Sequence, residues 1–136
     1  MREVVLSPNI IVEDYRTDGT RNWDHQGIDI AAPAGTPIRA SAGGVVAEIG
    51  VDGDPNNLRP WYGNYVILDH GEGIETRYAH MESPSGLAVG AAVTQGDVLG
   101  GTGNTGFSFG NHLHFETREY GEAFDSREIL PGGVFP

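Results

Sequence analysis

Tyr65-Val66-Ile67-Leu68-Asp69-His70-Gly71-Glu72-Gly73-Ile74-Glu75-Thr76-Arg77-Tyr78-Ala79-His80-Met81 is the stretch from which the fold is read. Two runs rich in β-branched and aromatic residues, Tyr65 to Asp69 and Ile74 to Met81, flank the polar segment Asp69 to Gly73. The glycines of that segment can supply the positive φ of a tight turn, so the stretch predicts a β-hairpin. Outward from it, similar runs recur at Asn9 to Glu13, Gly27 to Ala31, Thr36 to Ala40, Gly44 to Val51 and His112 to Tyr120. Pro33-Ala34-Gly35-Thr36-Pro37 reads as another turn, and Gly90 to Gly106 repeats short apolar pairs followed by Gly, as brief strands with sharp bends do. Only Ser126 to Leu130 reads as a helical turn, ended by Pro131. The fold class is therefore all-β, a small barrel or sandwich.

Composition narrows the chemistry. A chain of 136 residues suits one self-sufficient core, so residues 1–136 are read as a single domain. Eight cationic residues, all Arg, stand against nineteen acidic ones, for a net charge of −11. The absence of Lys excludes a Schiff base, a P-loop lysine and a lipoyl or biotinyl carrier site, and the absence of Cys excludes thiolate nucleophiles, disulfides and thiolate zinc sites. Any metal must sit on His and carboxylate. Nucleic acid is excluded as a partner because each phosphate contact would form against a repulsive field. The 21 glycines far exceed the average of about 7%, yet the 38% hydrophobic content, arranged as short Val/Ile/Leu-rich runs, argues for strands over disorder. The opening Met1 to Asp14 holds apolar runs of only three residues, so neither a signal-peptide core nor a membrane span is expected there.

Two motifs are weaker than they look. Asp52-Gly53-Asp54-Pro55-Asn56-Asn57 starts like a calcium loop, but its sixth position is Asn57 rather than Gly and its twelfth is Gly63 rather than Glu. The segment to Trp61 is read as a surface loop of a kind that can line a groove. Gly101-Thr102-Gly103-Asn104-Thr105-Gly106 matches a dinucleotide fingerprint letter for letter, yet a strand rather than a helix is expected after it, so a glycine-rich turn is the better reading.

The histidines carry the chemistry. In His112-Leu113-His114-Phe115-Glu116 a strand places His112, His114 and Glu116 on one face while Leu113 and Phe115 enter the core. His25-Gln26-Gly27-Ile28-Asp29 offers another imidazole and a carboxylate leading into an apolar run. Such nitrogen and oxygen donors suit zinc, which in catalytic sites takes three protein ligands and keeps a fourth position for water. Glu116 is expected to be an exposed strand carboxylate, with orientation of a ligand His as its other role. Asn64, Tyr65 and Tyr78 are expected to pack and hydrogen-bond within strands, with groove lining second.

His25-x-x-x-Asp29, Gly63 to Gly71, Thr76-Arg77-Tyr78-Ala79-His80, Gly103-Asn104-Thr105-Gly106 and His112-Leu113-His114-Phe115-Glu116 together resemble the M23 family of zinc metalloendopeptidases, the lysostaphin and LytM type. The likeness covers about Trp23 to Leu130, in the family's order. It implies a single small antiparallel β-sheet or barrel-like domain with a loop-lined groove. It implies that His25, Asp29 and His114 bind one Zn2+ per chain, that His80 and His112 are unliganded and catalytic, and that His70 has no role. The implied activity is hydrolysis of peptide bonds in bacterial peptidoglycan through a zinc-activated water, at a cross-bridge or stem peptide. The alternative is a catalytically silent M23-like domain that binds and regulates cell-wall hydrolases. The implied partner is the peptidoglycan peptide, with a fused or separate wall-binding module. The implied place of action is the cell wall, periplasm or exterior, as a phage lysis (endolysin) or virion protein or as a domain of a secreted chain. Two departures bear on substrate preference. Gly106-Phe107-Ser108-Phe109-Gly110-Asn111 replaces the family's common Ser-Thr-Gly-Pro approach, and no Phe-Gly-x-Arg lead-in is plain in Asp18 to Asp24.

Overall fold

A computed structural model describes residues 10–13 and 27–124. Ten strands follow one another: β1 (Ile10–Glu13), β2 (Ile28–Ala31), β3 (Pro37–Arg39), β4 (Gly44–Gly50), β5 (Asn64–Gly71), β6 (Ile74–Met81), β7 (Ala92–Val93), β8 (Val98–Gly101), β9 (His112–Glu119) and β10 (Glu122–Phe124). One 3-10 turn, Pro60–Tyr62, lies between β4 and β5. All pairs are antiparallel. The large sheet has the order β1-β2-β9-β6-β5-β4-β7, with β10 paired to β9, and β3 and β8 form a separate ribbon. Sheet rather than closed barrel is thus the form taken by the described residues. The hairpin expected around Asp69 to Gly73 is β5–β6, with Gly71 opposite Ile74. β10 and the 3-10 turn were not expected. The helical turn at Ser126 to Leu130, Asn9, and the Asp18 to Asp24 lead-in lie outside the described residues.

Alternation along the strands divides the sheet into two faces. Ile28 and Ile30 of β2, Val66 and Leu68 of β5, Tyr78 of β6, and Leu113 and Phe115 of β9 lie on one face and are all but inaccessible to solvent. They form one core with Ile38 and Leu99, which the β3–β8 ribbon contributes, so the ribbon is a lid over that face. Each such side chain adds about 1.5–3 kcal/mol on burial, which makes this layer the main source of stability. Tyr78 belongs here, its ring against Phe115 and its hydroxyl bonded to Ser41 and Thr76, so it does not line a groove. The opposite face carries a smaller cluster of Tyr62, Tyr65, Ile67 and Ala79. The histidines gather beside it.

His70 makes two local contacts, to the Gly43 carbonyl at 2.8 Å and the Thr76 hydroxyl at 2.7 Å, and it fastens the hairpin as its position suggested. The loop after β4 is closed by its own side chains. The Asp54 carboxylate accepts from the Asn56 N–H at 2.8 Å, and the Asn57 amide donates to the carbonyls of Val51 and Gly63. An inward-facing amide donor is the wrong chemistry for a cation.

Candidate active site

β9 lies between β2 and β6, and register brings Asp29 opposite His114 on one side and Ala79 opposite His114 on the other. Side chains two apart share a face, so His112, His114, Glu116 and Arg118 follow one another along it. Asp29, from the adjacent strand, directs its carboxylate at His114, with Nδ1 to Oδ1 2.8 Å. His112 Nε2 lies 3.6 Å from the same oxygen.

His80 reaches this face through a break in alternation. Asn64 pairs with Met81 and Val66 with Tyr78, so Tyr65 alone stands opposite two residues of β6, Ala79 and His80. This is a β-bulge, and His80 adopts φ 63°, a left-handed conformation uncommon for a side-chain-bearing residue. The bulge lets Met81 return to the core while the His80 ring sits 4.8 Å from that of His112 and 6.0 Å from that of His114.

Beyond Ala79 and His114 the pairing of β6 with β9 ends, and the segment after β8 bridges both strands, Thr102 with Met81 and Gly103 with His112. The Thr105 hydroxyl donates to the Met81 carbonyl at 2.7 Å and accepts from the Asn64 N–H at 3.1 Å. Its carbonyl oxygen then accepts from His80 Nδ1–H at 2.7 Å. The Gly110 carbonyl does the same for His112 Nδ1–H at 2.7 Å. A carbonyl can only accept, so both rings carry their proton on Nδ1 and present Nε2 as the basic atom. Burial pushes His80 down to about 4 against the pull of the Thr105 hydrogen bond, so it is neutral at pH 7.

His114 is the opposite case. Its Nδ1 faces Asp29 and its Nε2 faces Glu116 Oε1, each at 2.8 Å, and ionised carboxylates only accept. Burial disfavours a charged ring, but the two carboxylates outweigh it and raise His114 to about 9. Glu116, only 4% exposed, is not the solvent-facing carboxylate expected. Burial works to raise its carboxyl, and the contact with His114, then the charge of Arg118, holds it down to about 2. Arg118 Nε donates to its other oxygen at 2.9 Å, and the nearby Tyr62 hydroxyl also favours its charged form. This environment had no sequence signal beyond the i+2 spacing, because Tyr62 arrives from a distant turn.

Two donors that suit a metal, Asp29 Oδ1 and His114 Nδ1, therefore point at one another and would be available to hold one. Among the described residues no set of three His, Cys, Asp or Glu is disposed to hold an ion. The third expected donor, His25, lies outside the described residues. Nitrogen plus carboxylate is a donor set that fits zinc.

The rim is aromatic. Trp61 ends the loop that follows β4, and its carbonyl accepts from the Phe107 N–H at 2.8 Å. Phe107 and Phe109, both exposed, meet edge to face at 5.1 Å in the loop that leads to His112. Asn64 and Tyr65 have structural partners, Asn64 accepting from the Asp52 N–H at 2.7 Å and Tyr65 donating to Glu48. Among the described residues no helix is long and apolar enough to cross a membrane.

The chain resembles known proteins. The model of peptidase family M23 matches residues 24–126. The chain is 46% identical over 98 residues to the DD-carboxypeptidase/endopeptidase Mpg of Neisseria meningitidis, which covers 72% of this chain and 21% of that protein. It is 40% identical over 92 residues to the peptidoglycan DD-endopeptidase ShyA of Vibrio cholerae, covering 68% of this chain and 20% of the other. The chain thus spans about a fifth of the length of these curated relatives. Among solved structures, a zinc-containing peptidase from Vibrio cholerae superposes with a TM-score of 0.77 at 27% identity, over 91% of this chain and 37% of that one.

Proposed function

Since the chain belongs to peptidase family M23, we propose that it is a zinc-dependent endopeptidase that hydrolyses peptide bonds in bacterial peptidoglycan. His25, Asp29 and His114 are its ligands for one Zn2+, and His80 and His112 are its unliganded catalytic histidines. One observation carries the reading: two imidazoles, each with Nδ1–H held by a backbone carbonyl, stand beside an aspartate–histidine donor pair. Zinc, when bound, supplies a Lewis acid for the scissile carbonyl and lowers the pKa of a bound water to about 7.

The protein's own groups do the rest. Nε2 of His80 and of His112 is the basic atom of each ring, so either can take the proton released as the nucleophile attacks. Once protonated, the same nitrogen becomes a donor, able to bond the developing oxyanion or return the proton to the leaving amine. Because burial holds His80 near 4, its protonated form is a strong acid and gives the proton up readily. Thr105 and Gly110 orient the two rings before substrate arrives. Phe107 and Phe109 offer exposed apolar surface in the loop that leads to His112, and Trp61 is bonded to that loop through its carbonyl. The silent-domain alternative rests on ligand loss, and this chain keeps His25, Asp29, His80, His112 and His114.

The reading takes residues 1–136 as one peptidase domain, with a motif-bearing core of about residues 23–130, acting in the cell wall or periplasm with or without a wall-binding module. Its test is incubation with purified peptidoglycan, with product peptides identified by mass spectrometry. New amino termini that appear with the protein, vanish on chelation and return with Zn2+ are expected. Release of no peptide from any wall type by zinc-loaded protein would contradict it.

A further inference from the structure

The strongest feature left unused is the chain of side chains behind His114, on the far side from Asp29. An imidazole presents one nitrogen to a ligand only if something fixes the proton on the other. Here Glu116 Oε1 accepts from His114 Nε2–H at 2.8 Å, and neighbouring groups hold the pair in place. Arg118 Nε donates to Glu116 Oε2 at 2.9 Å, and the Tyr62 ring lies 5.9 Å from the His114 ring. Arg77 Nη1, in turn, lies 3.4 Å from the Tyr62 hydroxyl. The carboxylate is buried, so it is retained with its desolvation offset by these partners. Space is reserved for the pair at Gly27, where a Cβ would fall 2.8 Å from Glu116 Cγ, 2.8 Å from His114 Cε1 and 2.6 Å from the Phe115 carbonyl oxygen. No side chain at position 27 leaves room for both groups as they stand.

We propose that Glu116 is a positioning residue: it holds the His114 proton on Nε2, so that Nδ1 is the atom turned to Asp29 and available to the metal, and Arg118 holds Glu116. The proposal rests on the functional reading above, since it concerns how a ligand of that site is prepared. Glu116 touches neither substrate nor metal in this account. Removing its acceptor frees the ring to rotate or change tautomer, which weakens metal affinity rather than the chemistry downstream of it.

The test uses the full chain. Zinc affinity is measured by competition with a chromophoric chelator for wild type, Glu116→Leu and Glu116→Gln. Glu116→Leu removes the acceptor and is expected to bind zinc about 10- to 100-fold more weakly, the usual cost of losing such a partner. Glu116→Gln keeps an acceptor oxygen and is expected to recover most of that loss, a rescue that a purely packing role does not explain. Nitrogen-15 spectra of histidine-labelled, zinc-loaded wild type supply a readout independent of any variant's folding. His114 is expected to carry its proton on Nε2 with Nδ1 shifted by the metal. Wild-type affinity in Glu116→Leu, or a wild-type spectrum with the proton on Nδ1, overturns the proposal. Wild-type protein that takes up no zinc overturns the functional reading and this proposal with it, whereas tight wild-type binding with an indifferent Glu116→Leu overturns the proposal alone.

Discussion

His114 is the residue at which the proposed metal would compete with a proton. In the metal-free protein it donates from both nitrogens to carboxylates and is raised to about 9. A histidine raised in the folded state stabilises the fold fully below its ordinary value of 6.5, and that contribution is lost as pH rises through about 9. A metal at Nδ1 must displace this proton. Apparent zinc affinity is therefore predicted to rise about tenfold per pH unit from 6.5 to near 9 and then to level off. Calorimetry or chelator competition across that range checks it, and an affinity flat between pH 6.5 and 8.5 would contradict a charged His114 as the metal's competitor. His80, pushed the other way by burial, stays neutral throughout and does not compete. At this scale the sequence was informative about identity and silent about environment. The alternation His112-Leu113-His114-Phe115-Glu116 told which side chains share a face, and Leu113 and Phe115 are indeed buried. It did not tell that Glu116 is enclosed, because the enclosing groups come from Tyr62 and from Arg118 beyond the motif.

At the scale of elements, the cleft depends on a strand that bulges and a glycine-bearing segment that fills the gap. His80 reaches the site only because β6 carries one residue more than β5 at that point. No periodicity reveals such an insertion, since it shows only when the register of two strands is compared. The Gly101 to Gly106 segment was legible as a turn and not as what it does, which is to bridge β6 and β9 and present the Thr105 carbonyl to His80. Gly106 has φ +73°, and a Cβ there would lie 2.4 Å from the Gly63 nitrogen and 2.5 Å from the Trp61 carbonyl. Both neighbours are backbone and cannot step aside. Gly106→Ala is predicted to destabilise the protein by about 1–3 kcal/mol, combining left-handed strain with overpacking. Because Thr105 would shift and His114 would not, turnover should fall while zinc content stays at one per chain. Denaturant melts with elemental analysis check both parts. Wild-type stability and turnover in this variant would show that the close approach does not matter.

Over the whole molecule, one sheet does two tasks. Its inner face, capped by the β3–β8 ribbon, supplies the core, and its outer face carries the histidines with loops on either side. That division was legible because short alternating runs separated by Gly and Pro leave few other ways to bury Val, Ile and Leu. The separate β3–β8 ribbon was not, since strands of three and four residues in a glycine-rich region do not declare their partners. The net charge of −11 says little about the site itself, where His114 and Arg118 face the carboxylates of Asp29 and Glu116. The central claim is a separation of labour within five residues: His25, Asp29 and His114 hold zinc, and His80 and His112 act without binding it. Zinc content and peptidoglycan turnover, measured on the same preparations of His114→Ala and His80→Ala, test it most directly. The account predicts that His114→Ala loses most of its zinc along with its activity. His80→Ala should keep one zinc per chain while turnover falls about 10² to 10³-fold, as when a transition-state donor is removed. Full zinc retention in His114→Ala, or zinc loss in His80→Ala equal to that of His114→Ala, would contradict it.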